Sequence, residues 1–239
     1  MPRKVTIVLA VNLFIAGGMV YSTFAQQGAP EGAAKKGGKK APARPPLFFR
    51  EEWKTAPGAG EHPLSPDATA NSNLELKLYG GKELTLSGAA GDENDPLHPW
   101  SGLCETPCAV ALRDKGNYVD LTGLAKIRWN TKVSGFHKVH LIVKLADGTW
   151  LVGDHGDGST VDWHVTEFSI GDVSWLRLDM PKVLTKGNFV EKPDLSKVDE
   201  VGFTDLIPGS GHGPGGWSDV ALFEVYGKPV KRDGGGAGQ

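Results

Sequence analysis

AKIRWNTKV (125–133) and HKVHLIVKLA (137–146) are the two runs whose reading decides the fold. In the first, Ile127, Trp129, Thr131 and Val133 fall on one side, opposed by Lys126, Arg128, Asn130 and Lys132. In the second, Val139, Leu141, Val143 and Leu145 oppose Lys138, His140, Ile142 and Lys144. Side chains of a strand point alternately to its two faces, so a period of two marks a half-buried strand. Ser134-Gly135 between the runs is hairpin chemistry, and the strands are expected to pair as neighbours. On that expectation Arg128, Asn130, His140 and Lys144 share one polar sheet face, a candidate binding surface as well as a plain solvated one.

Outward from this pair the same signal recurs. Strands are expected at 47–53, 74–80, 108–114, 149–154, 162–170, 174–180, 200–206 and 219–227, separated by Gly, Pro, Asn and Asp clusters. No long stretch carries apolar residues at helical spacing without a Gly or Pro interrupting it. Many short strands with such turns predict an all-β protein, a single antiparallel β-sandwich of the jelly-roll kind over residues 47–230.

The ends read differently. Residues 1–25 have a basic start, Arg3 and Lys4, an apolar run, and a small-residue segment ending at Ala25, which is the pattern of a secretory signal peptide. The competing reading is a retained membrane anchor, against which the apolar run is near the short limit for spanning. Residues 26–46 offer nothing large to bury and read as a disordered Lys/Ala/Gly/Pro-rich linker; 231–239 read as a similar tail. The linker carries net +4, whereas 47–230 carry −9 of the chain total of −2. An acidic domain on a basic leash argues against nucleic acid as ligand, because phosphate backbones demand clustered cations on the domain itself. The leash could touch anionic lipid or cell-wall polymer, or serve only as a spacer. The expectation is a secreted or periplasmic monomer without a membrane span once the signal is removed.

Several stretches together resemble a known group. YVDLTGLAKIRWNTKVSG, HKVHLIVKLADGTW, DWHVTEFSI, KPDLSKVDEVGFTDL and DVALFEVYG, within 118–227, are similar to the galactose-binding-like jelly roll. That fold serves many carbohydrate-binding modules and the complex I intermediate-associated protein 30 group. Ala221 stands where many relatives have an acidic residue. The resemblance implies a secreted binding domain for carbohydrate, and a structural calcium near Glu51, Glu52 and Asp219.

Chemistry-bearing residues concentrate in a few places. PGSGHGPGGWSD (208–219) lacks the lysine and following helix of a phosphate loop. Its Trp217 and His212 instead suit a sugar, which asks for an aromatic face and polar groups beside it; the alternative is that Trp217 plugs one end of the sandwich. Trp163, Arg128, Asn130 and His140 complete the expected ligand contacts. Asp154, Asp157 and Asp162 around a glycine turn offer a second possible calcium set, as does 91–96, GDENDP. Catalysis would fall to Glu167 with a histidine such as His164, making a small glycoside hydrolase or lyase the alternative to a noncatalytic binding or polysaccharide-accessory domain. A structural envelope protein is the third class. Cys104 and Cys108 are expected to form a disulfide, as paired thiols of exported proteins do. An extended chain would separate their Cα atoms by roughly 13 Å against the 4.4–6.8 Å a bridge allows, so Glu105-Thr106-Pro107 must turn.

Overall fold

Among the described residues, sixteen strands and two short 3-10 turns carry the regular structure. In chain order they are β1 (Leu47–Glu51), β2 (His62–Pro63), β3 (Leu74–Gly80), β4 (Thr85–Ser87), β5 (His98–Trp100), β6 (Cys108–Asp114), β7 (Asn117–Asp120) and β8 (Lys126–Val133). They continue with β9 (Val139–Leu145), β10 (Trp150–Asp157), β11 (His164–Ser169), β12 (Trp175–Asp179), β13 (Leu184–Val190), β14 (Val198–Asp205), β15 (Ser218–Tyr226) and β16 (Lys228–Lys231). This computed structural model describes residues 43–55, 62–81, 83–160 and 162–232. The expected signal peptide, most of the linker and the tail beyond Arg232 lie outside the described residues.

The strands form two antiparallel sheets, so the all-β sandwich expected from the alternation is what the chain adopts. One sheet has seven strands in the order β11-β8-β15-β5-β4-β2, with β1 also beside β15. The other has nine, in the order β13-β12-β10-β9-β14-β6-β3, with β7 beside β14 and β16 beside β7. The core lies between them. Ile127, Trp129 and Val133 of β8 and Phe223 and Val225 of β15 pack with Val139, Leu141 and Val143 of β9 and Val201 and Phe203 of β14. Each such side chain contributes about 1.5–3 kcal/mol on full burial, and this shared layer holds the sheets together. Trp129 is fully buried because its indole N–H donates to Asp157 Oδ2 at 2.8 Å, which also accepts from Thr131 Oγ1 at 2.8 Å.

The two opening strands correct the sequence reading. β8 pairs with β11 and β15, and β9 pairs with β10 and β14, so they lie in different sheets and face each other across the core. Alternation specifies which side of each strand is apolar but is the same for a hairpin and for a crossing between sheets. The connection decides it. Gly135, at φ 66°, sits where a Cβ would lie 2.2 Å from Gly215 O, and the next turn buries His137 against Asp205. Arg128 and Asn130 are consequently on the outside of the seven-stranded sheet, while His140 and Lys144 are on the outside of the other.

Two further expectations change. Cys104 and Cys108 are free, buried thiols. Their turn does bring them together: the thiols share a hydrogen bond which, with burial, pushes Cys108 well above the usual thiol range. The two sulfurs are unbridged in this structure, with the turn that the expected disulfide requires in place. At the other end, β16 runs to Lys231, and Arg232 donates through Nε to Asp114 O at 3.0 Å and pairs with Asp199. Both residues belong to the folded unit, not to a tail starting at 231.

Candidate functional site

The register across three strands of the seven-stranded sheet builds the site. Trp100 on β5 is opposite Asp219 on β15, and Asp219 is opposite Lys132 on β8. These three side chains form one row on the outer face, because Lys132 alternates with the core residues Thr131 and Val133. His98, two residues before Trp100, extends the row along β5. Above it stands the loop that precedes β15. His212 stacks on Trp100 with ring centroids 4.8 Å apart and planes 20° apart, and Trp217 meets His212 edge-on at 5.3 Å. The result is a cleft of about 240 Å³ lined by Ser87, Gly88, Asp95, His98, Trp100, Lys132, His212, Trp217 and Asp219.

The loop is clamped to the body of the domain. Gly211 N–H donates to Gly102 O at 2.7 Å, and Ser134 N–H donates to Trp217 O at 2.9 Å. At Gly216, φ is 99° and a Cβ would lie 2.1 Å from Ser134 O, so this glycine serves close packing more than flexibility. Beneath the cleft floor, Asp205 Oδ2 accepts from Ser218 Oγ at 2.7 Å, from Ser101 Oγ at 3.3 Å and from His137 Nδ1. Ser101 and Ser218 adjoin Trp100 and Asp219 in the chain, so this buried network fixes the row. It is no hydrolytic triad: both hydroxyls donate to the carboxylate, and no hydrogen bond joins either to His137 among the described residues.

The cleft's polar chemistry is unusual in one respect. Asp219 is 4% exposed; its Oδ2 accepts the Trp217 indole N–H at 3.2 Å, but its Oδ1 has no hydrogen-bond partner. Burial pushes its carboxyl up to about 8, so it is protonated at neutral pH. His98 Nδ1 must carry a proton to donate to Pro96 O at 2.7 Å, and burial holds the ring below the usual histidine range. Its Nε2 is then an acceptor, 3.7 Å from Asp219 Oδ1. The Trp100 indole N–H is a buried donor without a partner. Among the described residues only one other buried side-chain N or O atom lacks a partner, Asn130 Oδ1, and it lies on the same outer face.

Of the ligand residues expected from sequence, Trp217 and His212 line the cleft, with Trp163 beside it. The half-buried Trp163 packs edge-on against His98 at 5.0 Å, and its Nε1–H donates to Asn94 O at 3.1 Å. Arg128 is committed elsewhere on the face: Glu224, 2% exposed, accepts from Arg128 and Arg50 at 3.1 Å each and from Tyr226 OH at 2.9 Å. His140, across the sandwich, bonds Gly153 O through Nδ1 at 3.1 Å and takes no part. His98, Trp100 and Lys132 were not anticipated as ligand contacts, since only strand register gathers them, and Asp95 was singled out only within the possible calcium set 91–96.

The other expected sites do not assemble. Glu167 is an exposed residue of the edge strand β11, bonded by Lys126 Nζ at 2.8 Å, and His164 lies three residues away, on the opposite face. Glu51 is fully buried and accepts from the backbone N–H groups of Trp53, Ala70 and Asn71, whereas Glu52 points outward to Arg50 and Asp219 belongs to the cleft. Asp154 accepts from Ser174 N, Asp157 from Trp129 and Thr131, and Asp162 from Trp163 N. Asp92 of 91–96 caps its own turn at Asn94 N. Among the described residues no three His, Cys, Asp or Glu side chains are grouped to hold a metal ion, so none of the three possible calcium sets converges.

No protein-family model and no curated protein sequence matches the chain. Among solved structures it is similar to a family 11 carbohydrate-binding module from Clostridium thermocellum in complex with a β-1,3-1,4-mixed-linked tetrasaccharide. That similarity has 16% identity and TM-score 0.43 over 73% of this chain and 99% of that one. It is also similar to a family 29 carbohydrate-binding module complexed with cellulohexaose, at 14% identity and TM-score 0.37 over 75% and 92%. A Bacillus subtilis family 43 arabinoxylan arabinofuranohydrolase in complex with cellotetraose gives 16% identity and TM-score 0.35 over 84% of this chain but 30% of that one. Likenesses at this level assign this chain neither a family nor a ligand.

Proposed function

We propose that the protein is a noncatalytic carbohydrate-binding or polysaccharide-accessory domain, working as a secreted or periplasmic monomer, with its site in the cleft over Trp100 and Asp219. One observation carries the reading: a buried indole N–H and a buried, protonated carboxyl oxygen are left without partners in one aromatic-walled cleft. Leaving such a group unmade costs about 1–3 kcal/mol, and native proteins do so rarely. A sugar supplies what is missing. Its hydroxyls both donate and accept, so neighbouring hydroxyls bond Trp100 Nε1, Asp219 Oδ1 and His98 Nε2, while Trp217 and His212 cover its C–H face.

Glycosidic hydrolysis is a second reading with one observation in its favour. Asp219 keeps its proton at neutral pH, and the carboxyl of Asp95, 59% exposed, opens on the same cleft, an acid and a base of the kind inverting hydrolases use. Titration of the protein with soluble β-glucan, mannan, xylan and galactan, following tryptophan emission and reducing ends in the same samples, separates the readings. Binding without new reducing ends is expected; turnover abolished by Asp219→Asn establishes the second reading, and silence in both measurements overturns the carbohydrate assignment.

A further inference from the structure

Charged residues that lie opposite one another in register are matched by sign almost everywhere in the two sheets. Eight such pairs occur among the described residues, and seven join unlike charges, Glu75 with Arg113, Glu167 with Arg128 and Glu200 with Lys144 among them. The eighth sets Arg177 of β12 against Lys186 of β13. Like charges directly opposite each other repel and cost stability. A lysine on β13 alone would be ordinary protection for an exposed sheet edge, but that need does not place an arginine opposite it on the strand inside.

The local backbone sets the two cations side by side. Phe189 is opposite Leu176 and Lys186 is opposite Arg177, so residues 187–188 have no counterparts on β12 and form a bulge. Gly187 sits in it at φ 76°, and a bulge in an edge strand re-aims the side chains next to it. Both cations are exposed, and among the described residues neither side chain makes a hydrogen bond or an ion pair. Two acids share the neighbourhood without neutralising them. Asp147 feels the charge of Arg177, but its carboxylate accepts from Thr149 N at 2.8 Å, and Asp179 pairs with neither cation. Arg177 and Lys186 border a hollow of about 420 Å³ whose lining also includes Trp150, Asp179, Met180 and Pro181.

We infer that Arg177 and Lys186 form a second binding site, on the other sheet from the cleft, for the carboxylate of an acidic saccharide unit such as a uronate. The guanidinium presents a planar fork that matches both carboxylate oxygens, and the lysine adds a point charge beside it. The bound anion removes the repulsion between the two cations. The hollow is larger than an inorganic anion fills and has room for the ring that carries the carboxylate. That the ligand is a sugar rests on the carbohydrate reading; that it is an anion rests on the two cations alone.

The test is calorimetric titration of the full chain with four-unit oligogalacturonate and oligoglucuronate, with acetate, phosphate and neutral glycans as the comparison probes. An acidic tetramer is expected to bind at low ionic strength and to weaken as salt is raised. Lys186→Glu, which turns the like pair into an unlike one, should weaken that binding at least about tenfold while melting temperature rises and the neutral glycan titration is unchanged. Arg177→Gln should weaken the acidic tetramer to a similar extent. No binding of either acidic tetramer, or binding that both substitutions leave untouched, overturns the site, whatever the neutral glycans do in the cleft. Acetate or phosphate binding as tightly as the tetramer overturns the saccharide assignment in favour of a bare anion. Silence of the neutral glycans alone bears on the cleft reading and not on these two cations.

Discussion

Two buried carboxyl groups on opposite outer faces of the sandwich, Glu200 and Asp219, are treated in opposite ways. On the nine-stranded sheet Glu200 is fully buried and saturated: it accepts from Lys77 at 2.8 Å, Lys144 at 2.9 Å and Tyr79 OH at 3.1 Å. On the seven-stranded sheet Asp219 is almost as buried, accepts one hydrogen bond, and keeps an oxygen unpartnered beside an indole N–H in the same condition. A saturated buried charge ties strands together; an unsatisfied buried acid in an aromatic cleft costs stability, and that cost is explained if a ligand completes it. Stability and binding should accordingly separate between the faces.

The largest effect is expected from Glu200→Ala, which leaves two lysines and a tyrosine without their acceptor. Removing one side of a buried ion cluster costs about 3 kcal/mol or more, roughly 6–12 °C in melting temperature for a domain of this size. Calorimetric melting should show the drop, while glycan affinity of the folded variant stays at the wild-type value. Asp219→Asn should do the reverse, weakening glycan binding about tenfold, or about 1.4 kcal/mol, without lowering stability.

The pH dependence sharpens the same contrast. Burial raises the Asp219 carboxyl from 3.8 to about 8, so between those values the folded chain holds a proton that the unfolded chain has released. Its contribution to stability is complete below about pH 4 and is lost as pH rises through about 8. Wild-type melting temperature should therefore fall by several degrees between pH 5 and pH 9 relative to Asp219→Asn, whose profile lacks this component. An equal decline in both proteins would show that Asp219 is not the titrating group. The smallest effects belong to His164→Ala and Glu167→Gln on the exposed edge strand: within about 0.5 kcal/mol in stability, with no change in binding.

What was legible in the sequence follows from what alternation encodes. All ten runs read as strands are strands; β8 shows the clean alternation of a polar face against an apolar one, whereas β6, β14 and β15 are buried nearly throughout and were marked by β-branched and apolar residues between turns. β5 escaped notice since it has only three residues and contains Pro99, and β13 since Gly187 interrupts it. Pairing was less accessible. β8 and β9 carry the alternation of hairpin partners yet lie in opposite sheets, which moved Arg128 and Asn130 away from His140. The cleft was legible only where its residues are near neighbours in the chain, as His212 and Trp217 are. Trp100, Asp219 and Lys132 meet because three strands distant in sequence align in register, and no local spacing announces that.

Calorimetric titration of wild type and Trp217→Ala with the soluble glycan that the protein recognises decides whether the cleft over Trp100 and Asp219 holds the sugar. Trp217 is half-buried at the cleft wall, so its removal should leave melting within a few degrees of wild type and reduce affinity at least tenfold. A folded Trp217→Ala protein that binds the glycan as tightly as wild type would place the sugar elsewhere.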